Sequence, residues 1–223
     1  MSSKSETVIY ENPLASASDL DGFICEGQPI FSFPQGVWRL ENGMGAEAGQ
    51  AANYVIWCPE IFPADLEVSW DFRPIREPGL AMFWFGATGR DGKDLFDPSL
   101  APRAGQYRQY FDGDINSYHA SYFRRKQEEE RNFHTCNLRK SKGFHLVASG
   151  GDPLPDADQN QLWYRIRVRK QDANISFFIN ELMCYQWQDD GKEFGPVLGE
   201  GRIGFRQMAP LIAEYRNLVV WAL

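Results

Sequence analysis

Leu66-Glu67-Val68-Ser69-Trp70-Asp71-Phe72 alternates apolar and polar side chains without a break. A period of two puts its four apolar residues on one side of an extended chain and its polar residues on the other. The segment therefore predicts a β-strand with one buried face and one wet face. Tyr164-Arg165-Ile166-Arg167-Val168-Arg169 repeats the pattern. The stretch from Gly79 to Gly86, Gly-Leu-Ala-Met-Phe-Trp-Phe-Gly, is apolar on both faces. It predicts a central strand covered on both sides, or one whose second face meets a ligand.

Outward from these three segments, the same reading predicts strands at 8–11, 22–26, 37–41, 53–57, 107–111, 117–125, 132–139, 144–148, 175–180, 184–187, 202–207 and 215–221. Turn signals separate them, among them Glu77-Pro78-Gly79, Gly89-Arg90-Asp91-Gly92 and Asp189-Asp190-Gly191. Many short strands without a long helix predict an all-β fold, a two-sheet antiparallel β-sandwich of the jelly-roll kind. No composition shift or internal repeat divides the chain, so residues 1–223 read as one domain. The polar stretch Asp91 to Gly105, with Pro98 and Pro102, predicts a long loop of the sort that often carries function.

Composition narrows the function. Aromatic residues make up 14% of the chain, enough for a core and for a surface on which sugar rings stack. The net charge of −7 argues against nucleic acid and against an anionic membrane as partners. Residues Met1 to Glu6 are polar, and no run reaches the roughly 20 apolar residues of a membrane span. A chain complete at this N-terminus is expected in the cytoplasm. Cys25, Cys58, Cys136 and Cys184 show neither zinc-ligand nor disulfide spacing. No cofactor and no metal is expected. Asp112-Gly113-Asp114-Ile115-Asn116 begins like a calcium loop, but Ser117 and Phe123 stand where that loop needs glycine and an acid. It reads as a turn. Nucleophile-elbow, zinc-protease, phosphate-loop and dinucleotide signatures are all absent. So is the paired-carboxylate spacing of a sandwich glycosidase, for which Asp112, Asp114 and Glu214 are the nearest candidates.

The segment from Gln106 to Leu146 holds all three histidines, several tyrosines and a cluster of arginines. Pairing 117–125 with 132–139 across a charged tip, then closing a second hairpin over Ser141, sorts its side chains by face. One face gathers Tyr118, Tyr122, Arg124, Thr135, Asn137, Arg139 and His145. The other gathers Phe123, Cys136, Leu138, Phe144 and Leu146, with His119 and His134 on this core side. A slip of one residue reverses the sorting. The first face is the expected site. Trp84, Tyr107, Tyr118, Arg124, Asn137, Arg139, Arg206 and Gln207 are its candidate substrate-binding residues. Arg124, Arg139 and Arg206 suit a uronate carboxylate through bidentate pairing; for Arg206 the alternative is an ion pair with Glu214. Tyr122, with His145 or His134, is the candidate base and acid for a β-elimination.

Several blocks carry a family resemblance. Asn137-Leu-Arg-Lys-Ser-Lys-Gly-Phe-His145-Leu-Val, Trp187-Gln-Asp-Asp-Gly, Phe194-Gly-Pro-Val-Leu-Gly, Gly201-Arg-Ile-Gly-Phe-Arg-Gln-Met-Ala209 and Tyr215-Arg-Asn217 are similar to recurrent blocks of the YesU-like family of bacterial proteins. The resemblance runs from about Asn53 onward and implies a concanavalin A-like jelly roll. Members are encoded among genes for breakdown of rhamnogalacturonan and related plant polysaccharides, which implies a carbohydrate role by association. Three readings follow: a lyase or hydrolase of oligosaccharides from pectin-like polymers, a non-catalytic carbohydrate-binding domain, and an interaction domain with an exposed apolar patch. The oligomeric state is left open.

Overall fold

The computed structural model describes residues 6–223. Residues 1–5, most of the polar N-terminal stretch, lie outside the described residues. Fifteen strands are seen in the described chain: β1 (Thr7–Asn12), β2 (Ile24–Glu26), β3 (Pro29–Ser32), β4 (Trp38–Asn42), β5 (Tyr54–Trp57), β6 (Leu66–Arg76), β7 (Gly79–Gly89), β8 (Ile115–Arg125), β9 (Thr135–Ser141), β10 (His145–Gly151), β11 (Tyr164–Gln171), β12 (Asn174–Ile179), β13 (Leu182–Gln188), β14 (Arg202–Met208) and β15 (Ile212–Ala222). They form two antiparallel sheets. The first runs β13-β12-β11-β6-β15-β4-β3, with β1 also paired to β15, and the second runs β10-β9-β8-β7-β14-β5-β2. The molecule is an all-β, two-sheet jelly-roll sandwich.

Alternation builds the interior. Leu66, Val68, Trp70 and Phe72 turn inward from β6, and Ala81, Phe83 and Phe85 meet them from β7. Trp70 and Phe83 bring their ring centroids to 4.2 Å across the sheets. Burying each such side chain stabilises the fold by roughly 1.5–3 kcal/mol. The polar residues between them make the outer face of the first sheet an ion-pair lattice. Asp71 binds Arg165 and Arg216, Glu67 binds Arg167 and Arg169, and Glu214 binds Arg39 and Arg73. Glu214 is thus committed on the sheet opposite Arg206, and the pair between them does not form.

β7 is covered on both sides, as its composition requires. Its second face carries Leu80, Met82 and Trp84, which join a smaller apolar cluster with Val55, Trp57, Leu95 and Tyr110. The cover on this outer face of the second sheet comes from the segment 90–111. The strand expected at 107–111 is instead one helical turn, α1 (Arg108–Phe111). Gln109 Oε1 accepts from the N–H groups of Gln106 and Ala104, which favours the turn over an extended chain. Tyr107 and Tyr110, three residues apart, then face the sheet together. The strand expected from residue 132 begins at Thr135, because Glu128–Phe133 forms a second short helix, α2. Gln127 and Glu130 make a reciprocal capping box at its start, and His134 ends it in a left-handed conformation. The edge strand β3, which opens on Pro29, escaped the sequence reading.

Candidate functional site

The trough is built where β8 and β9 run past β7. Ser121 pairs with Asn137 and His119 with Arg139. Paired residues share a face, so Ser121, His119, Asn137 and Arg139 all point outward from the second sheet. Arg124 joins them because β8 carries a bulge near its end. Gly79 pairs with Arg125 and Ala81 with Tyr122, and Phe123 adopts a positive φ of 46°. The extra residue returns Arg124 to the outer face.

A cavity of about 180 Å³ opens there, lined by Leu80, Met82, Tyr107, Ser121, Arg124, Lys126, Gln127, Glu130, Asn137, Arg139, Phe144 and Met208. That is smaller than the roughly 300–1,000 Å³ typical of drug-sized ligand sites, and suits one unit of a larger ligand. Its chemistry is cationic and aromatic. The Arg124 guanidinium donates to Glu130 Oε1 at 2.6 Å and to Thr135 Oγ1 at 2.8 Å. With its amide turned so that Oδ1 faces Arg124 Nη1 at 2.7 Å, Asn137 also donates to Ser149 Oγ at 2.8 Å. Arg139 lies under the Phe144 ring, 3.7 Å from the centroid, and donates to the Phe144 carbonyl at 3.0 Å. Among the described residues it forms no ion pair. Phe144 is 49% exposed and packs edgewise on Tyr107 and at a tilt against Phe111, so three rings cluster at the rim.

The segment 90–111 walls one side. Its anchor is the buried carboxylate of Glu26, which pairs with Arg103 at 2.7 Å and accepts from Tyr110 at 2.7 Å and Trp57 at 2.9 Å. Gly105 has a φ of +87°, and a Cβ there would come within 2.0 Å of the Asn53 carbonyl, so only glycine lets the segment approach so closely. Its carbonyl accepts from Arg206 Nη1 at 2.6 Å.

Under this wall, Tyr107 Oη meets His119 Nε2 at 2.8 Å. Burial, with help from Arg139 and Arg206, holds His119 well below the usual imidazole range. Burial pushes the Tyr107 phenol up to about 12, against the pull of Arg139, Arg206 and Arg124. His119 Nδ1, Trp84 Nε1 and two nitrogens of Arg206 have no hydrogen-bond partner among the described residues.

Tyr107, Arg124, Asn137 and Arg139 are therefore brought together, as the sequence reading expected. The other candidates lie elsewhere. Tyr118 and Tyr122 point into the sandwich, where Tyr118 bonds Asp189 and Tyr122 accepts from Trp70. Gln207 is also interior, between Tyr54 and Tyr215 at 2.7 and 2.8 Å. The expected pairing was out of register by one residue in β8. α2 replaces the tight tip on which that pairing rested, and a one-residue slip inverts a strand's faces. The same inversion brings His119 out from the core side. His134 caps α2, close to Arg125 and Asp156, away from the trough. His145 stacks on Phe194 at 4.3 Å on the face of Lys140, while Phe144 and Leu146, expected in the core, are half exposed. Trp84 and Arg206 share the trough's sheet face but are fully buried beneath the wall. His119, Ser121 and Phe144 were missed. The period-two pattern carried their signal, but only the true register reveals it.

The family model described as a domain of unknown function (DUF1961) matches residues 7–220. The protein YesU of Bacillus subtilis (strain 168) is 49% identical over 217 residues, covering 97% of this chain and 96% of that protein. A crystal structure of a Bacillus subtilis protein of unknown function with a galectin-like fold superposes with a TM-score of 0.93 at 48% identity, covering 98% of each chain. The carbohydrate-binding module CBM66 from Bacillus subtilis shares the fold at a TM-score of 0.54 and 12% identity, covering 88% of this chain and 93% of that one.

Proposed function

The chain belongs to the DUF1961 family, and on that premise we propose that its trough binds an acidic oligosaccharide of the kind released from pectin-like polymers such as rhamnogalacturonan. The observation that carries this reading is Arg139, a cation without an ion-pair partner among the described residues, lying under the exposed ring of Phe144. The half-exposed ring of Phe144, braced edgewise by Tyr107 and by the tilted ring of Phe111, offers an apolar face to one side of a pyranose ring. Arg139, Arg124 and Asn137 offer fixed donors to a carboxylate and to hydroxyls. The carbohydrate-binding module that shares this fold adds weight to a sugar ligand.

Hydrolysis finds little support in the lining. It requires two carboxylates facing the scissile bond, and Glu130, the carboxylate that lines the trough, is already bonded to Arg124. A non-catalytic binding domain is the second reading, favoured by the likeness to CBM66. Calorimetry with oligogalacturonates and with neutral galacto-oligosaccharides of matched length tests the proposal. The acidic ligands are expected to bind about tenfold more tightly or better, and Arg139→Gln to erase the difference. Equal affinity for both series, or none for either, would overturn it.

A further inference from the structure

The trough has few groups free to exchange a proton with a bound sugar. Glu130 is committed: its carboxylate accepts from Arg124 at 2.6 Å and from the backbone N–H groups of Lys126 and Gln127 at 3.0 Å each. The Lys126 ammonium is tied to the Ala209 carbonyl. Arginine keeps its proton at any relevant pH. Tyr107 remains. Its hydroxyl has a basic nitrogen in contact, His119 Nε2 at 2.8 Å. His119 is held in place by stacking on Trp84, centroid to centroid 4.1 Å. Arg206 sits beneath the Tyr107 ring, with its guanidinium carbon 5.1 Å from the centroid. A tyrosinate formed transiently at this position has cations on both sides, Arg139 at the rim and Arg206 below.

We propose that Tyr107 is the proton-transfer residue of a β-elimination on an acidic sugar held in the trough, with His119 as the positioning residue that takes up and returns its proton. This rests on the reading of the trough as an acidic-sugar site. The uronate carboxylate lies against Arg139 and the Arg124–Asn137 pair, which stabilise the negative charge that develops there when the adjacent C5–H bond breaks. Tyr107 Oη passes its proton to His119 Nε2 and takes the C5 proton. The electron pair of the C5–H bond forms the C4=C5 double bond, and the C4–O4 bond breaks. The departing O4, on the far face, takes a proton from solvent water; the hydroxide left behind takes the proton from Tyr107 Oη, and His119 returns its own to Tyr107. The net change moves one proton from C5 to O4 and cleaves one linkage. No water, oxidant or metal is consumed. On a galacturonate ring the axial C5–H and the axial C4–O4 bond lie on opposite faces, so the elimination is anti and Tyr107 meets the C5–H face alone. Burial keeps His119 neutral, and with its proton on Nδ1 the Nε2 atom is free to accept from Tyr107.

Tetragalacturonate and a rhamnogalacturonan oligosaccharide are the probes, with binding read by calorimetry and product by the ultraviolet absorbance of the unsaturated uronate. Wild-type protein is expected to bind and to generate the absorbance. Tyr107→Phe is expected to bind within about threefold of wild type and to lose about a hundredfold or more in kcat. His119→Gln keeps a hydrogen-bonding partner for Tyr107, so kcat is expected to fall with its pH profile displaced while KM holds. Turnover by Tyr107→Phe near the wild-type rate would overturn the assignment and leave the acidic-sugar reading standing. Binding without absorbance from wild-type protein would also overturn it and leave a binding trough. Absence of binding by either probe would sink the reading beneath it as well. An unmoved pH profile in His119→Gln would remove His119 from the mechanism.

Discussion

The guanidinium of Arg139 lies 3.7 Å beneath the ring centroid of Phe144, and the two are neighbours across the β9–β10 turn. The contact orders a half-exposed ring at the rim of the trough and holds a cation at its centre. Phe144→Ala is expected to cost under about 1 kcal/mol of stability, the size of an exposed cation–π contact. Oligosaccharide affinity should fall about three- to tenfold, the scale of one lost ring contact. Paired thermal melts and calorimetry separate the two. Unchanged affinity would mean the ring is not a sugar platform.

Tyr122 tests the corrected register from the other side of the sheet. Its hydroxyl accepts from Trp70 Nε1 at 3.1 Å inside the sandwich. Tyr122→Phe leaves a buried indole N–H unpaired, so unfolding in denaturant should show a loss of about 1–3 kcal/mol. Ligand affinity should hold. A collapse of binding in a stably folded variant would place Tyr122 at the site after all.

Glu26 is the bolt of the wall. Neutralising it by Glu26→Gln leaves Arg103 buried without its counter-charge and weakens the bonds from Tyr110 and Trp57. The expected loss is about 3–5 kcal/mol, the scale for breaking one side of a buried pair. Amide exchange across residues 103–111 should quicken before that of β6 or β7 does. Uniform exchange throughout the molecule would argue against a locally anchored segment.

His119 sets a pH dependence whose sign is fixed by burial. Its folded-state pKa lies well below the ordinary value of 6.5. Above 6.5 both folded and unfolded chains carry it neutral. As pH falls from there towards the folded value, the unfolded chain takes a proton that the folded chain refuses. Stability should therefore drop by up to about 1.4 kcal/mol per pH unit in that window. Asp71 acts in the same direction at lower pH. Burial alone would raise its pKa, but bonds from Arg165, Asn217 and Arg216 outweigh it and hold the carboxyl below its usual range. Denaturation midpoints of wild type and His119→Gln, measured across this range, separate the two. An equal slope near 6.5 in both proteins would contradict the buried neutral imidazole.

The fold was legible in the sequence because its signal is local. Alternation from Leu66 to Phe72, and an apolar run from Gly79 to Gly86, each state how many of a strand's faces are apolar. Both strands are central; β7 is apolar on both faces, whereas β6 has one apolar face and a polar one, expected to be wet, whose Glu67, Ser69 and Asp71 are buried beneath the arginine lattice. Asn137 and Arg139 were also legible as a pair, since Thr135 to Arg139 alternates and its polar face is obvious; Arg124 reaches that face only through the bulge in β8. What the sequence by itself determined is thus the sandwich, its strand inventory in outline, and the shared face of Asn137 and Arg139.

Tertiary structure decided the rest, and for a single reason. Which side of β8 faces its partner's polar row depends on one residue of register, and no local pattern in β8 states it. The six-residue helix Glu128–Phe133 and the bulge at Phe123 fix that register. They send Tyr118 and Tyr122 into the core and His119 to the outer face of the sheet, buried behind Tyr107. The segment 90–111 then carries Tyr107 back over the sheet to meet His119, a contact between residues twelve apart that only the folded chain brings within 2.8 Å.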